Sequence, residues 1–149
     1  MNDHKFQSIQ DARRFVLAGD AIVTLQSLKS GRHFTYNVQE SKPNPDFPNA
    51  ARIHFVKLLS DGSADDGTFR YLGLINEHGQ FRLTRRSSAG PDAPSVRAFS
   101  FFMSLQQLHP DLVIRHTGKC GRCGKTLTVP ESIDSGLGPV CRAEMSHAA

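Results

Sequence analysis

Residues 20–40, DAIVTLQSLKSGRHFTYNVQE, mark the point where the chain leaves helical spacing for alternation. Ala21 to Leu28 reads as a strand, Lys29-Ser30-Gly31-Arg32 as its turn, and His33 to Glu40 as the return strand. In the return strand Phe34, Tyr36 and Val38 fall on one side, and His33, Thr35, Asn37 and Gln39 on the other. Such a pattern belongs to an antiparallel sheet with one buried and one wet face.

Upstream, Ser8-Ile9-Gln10-Asp11 has the form of a helix start, with Ser8 as N-cap and Asp11 three residues on. Ile9, Ala12, Phe15 and Val16 make its apolar face, Arg13 and Arg14 fall on the other, and Gly19 ends it. Downstream, a loop with Pro43, Pro45 and Pro48 cannot enter a ladder. Ala51 to Leu59 is then a third strand, and Thr68 to Ile75 with Gln80 to Arg85 a second hairpin across Asn76-Glu77-His78-Gly79. Between them Asp61, Asp65 and Asp66 lack the glutamate and the ligand spacing of a calcium loop and read as a solvated turn. A second helix starts near Pro91-Asp92-Ala93-Pro94-Ser95, capped by Asp92 or Ser95, and turns Val96, Phe99, Phe102 and Met103 to the core. Pro110 stops it, and Asp111 to Arg115 forms a last strand. The expected fold is α+β: a five- or six-stranded, mainly antiparallel sheet with two helices over residues 1–115, followed by a small module over 116–149.

That module holds all three cysteines of the protein, in Cys120-Gly-Arg-Cys123-Gly124-Lys125 and Gly136-Leu-Gly138-Pro139-Val140-Cys141. Two cysteines separated by two residues can face one tetrahedral ion, with Gly124 allowing the tight turn behind them. Pro139 suits the first position of a short helix, which places Cys141 in its first turn, where the helix dipole favours a thiolate. An odd number of cysteines and an N-terminus without an apolar leader argue against disulfides. A zinc knuckle is the expected structure. Closed zinc sites take four ligands. His116 gives His-x3-Cys-x2-Cys-x17-Cys, with His147 and then Glu144 as alternatives. Apart from its cysteines the module offers Leu127, Val129, Ile133, Leu137, Val140 and Met145 as an apolar core. That is too little to order about 28 residues at roughly 1–2 kcal/mol each without a metal.

The pattern Cys-Gly-Arg-Cys-Gly-Lys-Thr-Leu-Thr-Val-Pro-Glu-Ser-Ile with Gly-Leu-Gly-Pro-Val-Cys resembles the small cysteine-containing domain of unknown function 6011. Over residues 116 to 143 the cysteine pair, Leu127, Pro130, Ser132, Gly136, Gly138, Pro139 and Cys141 fit it. The resemblance implies a zinc fold in a bacterial, phage or mobile-element setting, at times appended to proteins that act on nucleic acid. It supplies no substrate and no catalytic residue.

Composition narrows the function. The chain of 149 residues carries a formal charge of +4, which permits nucleic-acid contact without requiring it. No apolar run approaches the ~20 residues of a membrane span, so a cytoplasmic protein is expected, in the host cytoplasm if phage-encoded. Gly118 to Thr126 mimics a phosphate-binding loop, but five residues separate the outer glycines where four are needed. Signatures of zinc peptidases, zinc deaminases and nucleophile-elbow hydrolases are absent, so no enzyme is expected. Two readings remain. In the first, zinc holds the module, and Arg70, Arg82, Arg85 and Arg86 with Lys119, Arg122 and Lys125 contact nucleic-acid phosphates. In the second, a small inhibitor or adaptor docks on a host enzyme or defence complex.

Overall fold

The structure is a computed structural model that describes residues 4–42, 45–47, 52–62, 67–124, 127, 135–138, 140, 141 and 143. Chain order is α1 (Ile9–Val16), β1 (Asp20–Ser27), β2 (His33–Glu40), β3 (His54–Asp61), β4 (Thr68–Ile75), β5 (Phe81–Arg82), α2 (Pro94–Ser104) and β6 (Leu112–His116). The six strands form one antiparallel sheet in the order β5-β4-β3-β2-β1-β6. Lys5 bridges to Arg115 and the Phe6 N–H donates to the Ile114 carbonyl at 2.9 Å, so the N-terminal segment covers the outer edge of β6. No helix among the described residues is long and apolar enough to cross a membrane.

Both helices pack on one face of the sheet. Ile9, Ala12, Phe15 and Val16 from α1 and Val96, Phe99 and Phe102 from α2 share a single core with Val23, Leu25, Tyr36, Val38, Val56, Leu72, Ile75 and Ile114. Ser8 caps α1 as its side chain dictates, accepting the Asp11 N–H at 3.1 Å. Tyr36 is fully buried, and its hydroxyl donates to the Ser95 carbonyl at 2.6 Å. Burial pushes its phenol well above the ordinary value, which keeps it a neutral donor.

Several elements depart from the sequence reading. Helix α2 begins at Pro94 with Ala93 as N-cap and no side-chain cap, so neither Asp92 nor Ser95 caps it. It ends at Ser104, six residues before Pro110, because Leu105 turns extended (φ −74°, ψ 141°). Arg13 reaches that helix end, where its guanidinium donates to the carbonyls of Met103 and Leu105. It is a half-buried clamp between the helices, not a solvated charge. Asn37, read as a wet-face residue, is 7% exposed and donates to Asp20 Oδ1 at 2.9 Å and to the Ala21 carbonyl at 3.1 Å. Strand β5 is shortened to two residues because Thr84 starts a turn, its N–H donating to Ser87 Oγ at 2.8 Å.

A bulge in β4 decides which residues share a face. Val56 pairs with Gly73 but Lys57 pairs with Tyr71, leaving Leu72 as the extra residue. Alternation therefore slips by one, and both Leu72 and Ile75 reach the core.

Candidate metal centre and the basic surface

The cysteine segment leaves β6 and docks at once on the end of α1 and the start of β1. The Asp20 N–H donates to the Gly121 carbonyl at 2.8 Å, and the Gly121 N–H donates to the Gly136 carbonyl at 2.9 Å. These two bonds join the first cysteine loop both to the sheet and to the loop that carries the third cysteine. The Gly124 N–H donates to the Cys120 carbonyl at 2.9 Å and closes the knuckle turn. Ala18 joins Cys120, Leu127, Leu137 and Cys141 in a small second core, so the segment packs on the sheet unit.

Phe15 shapes this docking. Its ring lies so close to two glycines that an added Cβ would stand 2.6 Å away at Gly121 and 2.4 Å away at Gly136. Gly136 also has φ +74°, in the left-handed region that suits glycine. Gly136→Ala should therefore lower stability by about 2–4 kcal/mol, combining overpacking with backbone strain. Gly138→Ala is the control, because among the described residues its Cβ would meet nothing nearer than Cys120 Sγ at 4.0 Å. Chemical denaturation of the two variants should separate them; equal stability would refute this packing.

The three cysteines converge. Their sulfurs lie within 4.8 Å of one another, with Cys120 and Cys141 buried and Cys123 exposed. Four ligands at ~2.3 Å around a tetrahedral ion would hold sulfurs about 3.8 Å apart, so this group could hold a metal ion with little movement. Burial alone would push the Cys120 thiol up. N–H groups of Gly138, Cys123 and Arg122, aided by the Cys123 side chain, outweigh it and bring the thiol down to about 7. The Arg122 N–H lies 3.4 Å from Cys120 Sγ. Cys141 goes the other way, to about 11, through burial and then the neighbouring Cys123 and Cys120. A metal bound near neutral pH would therefore have to displace the Cys141 proton. Val140, Cys141 and Ala143 are helical, as the Pro139 reading anticipates, while burial and the two neighbouring thiols hold the Cys141 thiol up.

His116 is placed differently from a ligand on a strand end. Among the described residues the converging group is the three cysteines, and His116 is not in it. The residue is 5% exposed, and its ring stacks on His4 at 4.9 Å and 9° and contacts Phe6 at 5.3 Å and Phe15 at 5.6 Å. His116 Nδ1 accepts the Gly118 N–H at 2.9 Å. His147 and Glu144, the other fourth-ligand candidates, lie outside the described residues, as do Lys125, Asp65 and Asp66.

The structure divides the predicted basic residues into separate groups. Arg82, Arg85 and Arg86 are exposed on β5 and its following turn, at one edge of the sheet. Lys119 and Arg122 are exposed on the segment that follows β6, where Arg122 stands against Gly19 just before β1. Four strand spacings separate β5 from β1, on the order of 19 Å along the sheet. Arg70 does not join Arg82. It pairs with Leu58, which packs against the core, so register places Arg70 on the helix-covered side. Arg82 pairs with Leu74, one residue from the core residue Ile75, and lies on the open side.

Three bases missed in the sequence share that open face. Lys57 is opposite Asn37 and Tyr71, Arg115 is opposite Thr24, and Lys5 is opposite Arg115. Lys57 Nζ donates to Gln39 Oε1 at 3.0 Å and Arg115 Nη1 to Gln26 Oε1 at 2.7 Å, so each is held by a neutral amide. Phe55, two residues before Lys57 on β3, and Tyr71, opposite Lys57 on β4, stand beside Lys57 with ring centroids 6.3 Å apart. Tyr71 is steadied by the Thr84 hydroxyl, which donates to its Oη at 3.2 Å. Acids in the six strands stand at strand ends, as Asp20, Glu40 and Asp61. The alternation of Phe55 and Lys57 against Val56 and Leu58 carried a signal for Lys57; the pairing of Lys5 is long-range and left none.

Comparison with known proteins bears on this segment. Residues 110–146 match the family model described as Family of unknown function (DUF6011). This is the family that the cysteine pattern resembles. The DUF6011 match reaches back beyond His116 to take in β6, whose Val113 and Ile114 are buried. Neither a curated protein nor a solved structure matches the chain.

Proposed function

We propose that this chain is a zinc-containing protein that binds single-stranded nucleic acid across the open face of its sheet. The observation that carries the reading is the composition of that face. Lys5, Arg115, Lys57 and Arg82 run from one edge to the other, the aromatic rings of Phe55 and Tyr71 lie among them, and the strand acids are confined to strand ends. A cationic track suits a phosphate backbone, and aromatic rings on a sheet suit unstacked bases. Exposed Arg85 and Arg86 at the β5 edge, with exposed Lys119 and Arg122 on the segment after β6, would extend the track.

Zinc is the metal this reading assigns to Cys120, Cys123 and Cys141, because three thiolates in a knuckle form the donor set of structural zinc sites. The ion would supply a cross-link between Gly118–Gly124 and the loop that ends in Cys141. For the fourth ligand the reading favours His147, since the ring of His116 is packed among His4, Phe6 and Phe15. His116→Ala should then retain the metal and His147→Ala should weaken it.

The test is anisotropy of a labelled single-stranded oligonucleotide across a salt series. Affinity should fall with a log–log slope of about −0.7 per neutralised phosphate. Lys57→Ala with Arg115→Ala should make that slope shallower by roughly 1.4. Tyr71→Ala should weaken binding by about 5- to 150-fold with the slope unchanged, as loss of one stacking ring requires. Binding that is negligible at low salt, or indifferent to all three changes, would overturn the proposal. A pull-down that returns one stoichiometric protein instead would favour the adaptor reading.

A further inference from the structure

On the opposite, helix-covered side of the sheet, a cavity of about 620 Å³ opens between the β1–β2 turn, α2 and the segment leading into β6. Its floor is apolar, made by Leu25, Phe34, Leu112 and Phe101. Phe101 is the informative one. Its helix neighbours Phe99 and Phe102 are fully buried, whereas Phe101 is 43% exposed and meets only the edge of His109, at 5.2 Å, among the ring contacts of the described residues. The rim is cationic, with Lys29, Arg32 and Arg97 around it. One carboxylate, Asp111, is present, and Lys29 already lies 3.5 Å from it. His109 Nδ1 accepts the Asp111 N–H at 3.1 Å and stands 4.0 Å from Asp111 Oδ2. Among the described residues neither Arg32 nor Arg97 belongs to an ion pair.

We propose that this cavity is a binding site for a small amphipathic anion, one with an aromatic or aliphatic body and a single phosphate, sulfonate or carboxylate group. The volume falls within the range of small-ligand sites, and an apolar floor with a few convergent polar groups is their usual make-up. Two unpaired guanidiniums at the rim select an anionic headgroup and offer it paired N–H donors. The exposed ring of Phe101 supplies apolar surface that the core does not use. Because the site is on the other side of the sheet from Lys57 and Tyr71, it stands or falls independently of nucleic-acid binding and of the metal.

The experiment compares two fluorescent probes of the same body, 8-anilinonaphthalene-1-sulfonate and the neutral N-phenyl-1-naphthylamine. They are titrated into the wild-type chain, the Arg32→Ala/Arg97→Ala double variant and Phe101→Ser. Thermal melts verify folding, which these exposed positions should leave unchanged. The sulfonate should bind wild type at one saturable site, and its amide shift changes should centre on Leu25, Phe34 and Leu112. The double variant should weaken the sulfonate by about tenfold or more and leave the neutral probe unaffected. Phe101→Ser should weaken both probes. The proposal is overturned by no saturable binding of the sulfonate up to ~1 mM. Equal sulfonate affinity in the double variant, or shift changes that map to another face, would also overturn it.

Discussion

Phe15→Ala should lower the unfolding free energy by about 3–5 kcal/mol, the range for emptying a fully buried aromatic site. The ring is 1% exposed and belongs to the main core, where it meets Phe6 at 5.1 Å. It also touches His116 at 5.6 Å and seats Gly121 and Gly136 of the cysteine segment directly against its edge. Gly121 and Gly136, which face the ring, are joined by a 2.9 Å bond and carry no side chain to fill the gap. The cost should therefore appear twice, as a lower denaturation midpoint and as weaker metal retention. Phe15→Leu, which keeps much of the volume, should recover most of both losses. A Phe15→Ala protein that melts with wild type would show that the two cores are not joined through this ring.

Cys120→Ser should have the other large effect, confined to the C-terminal segment. Cys120 is 1% exposed at the centre of the second core, and its sulfur accepts the knuckle N–H groups. Serine leaves the hydrogen-bonding partners but removes the soft ligand, so metal binding should be lost outright. Without the ion, residues 116–143 should lose protection from amide exchange, because Leu127 and Leu137 are small compensation for ordering that length of chain. The sheet unit should persist, since Phe6, Phe15, Tyr36, Phe99 and Phe102 all belong to the larger core. Retention of the metal by Cys120→Ser, or collapse of the whole fold with it, would contradict this division.

Local patterns in the sequence carried much of the fold. Alternation in β2, the Ser8 cap and the cysteine spacing each act over a few residues, and the structure bears them out in α1, the six-stranded sheet and the converging sulfurs. What escaped depends on distant partners. The end of α2 falls where Leu105 turns extended, six residues before Pro110, and its carbonyls are bound by Arg13 from another helix. The side on which Arg70 lies follows from a bulge at Leu72 that is visible only in the register with β3. His116 has ligand-like spacing in the sequence, and its burial against His4, Phe6 and Phe15 arises from three separate segments. The basic residues looked like one group along the chain because sequence order does not reveal that β5 and β6 are opposite edges.

The metal centre is the claim on which the rest of the C-terminal account depends, and one measurement addresses it directly. Elemental analysis of protein purified without chelator should return about one zinc per chain, bound by Cys120, Cys123 and Cys141, and none in Cys120→Ser. Wild-type protein that is folded, reduced and free of zinc and of every other transition metal would contradict the account.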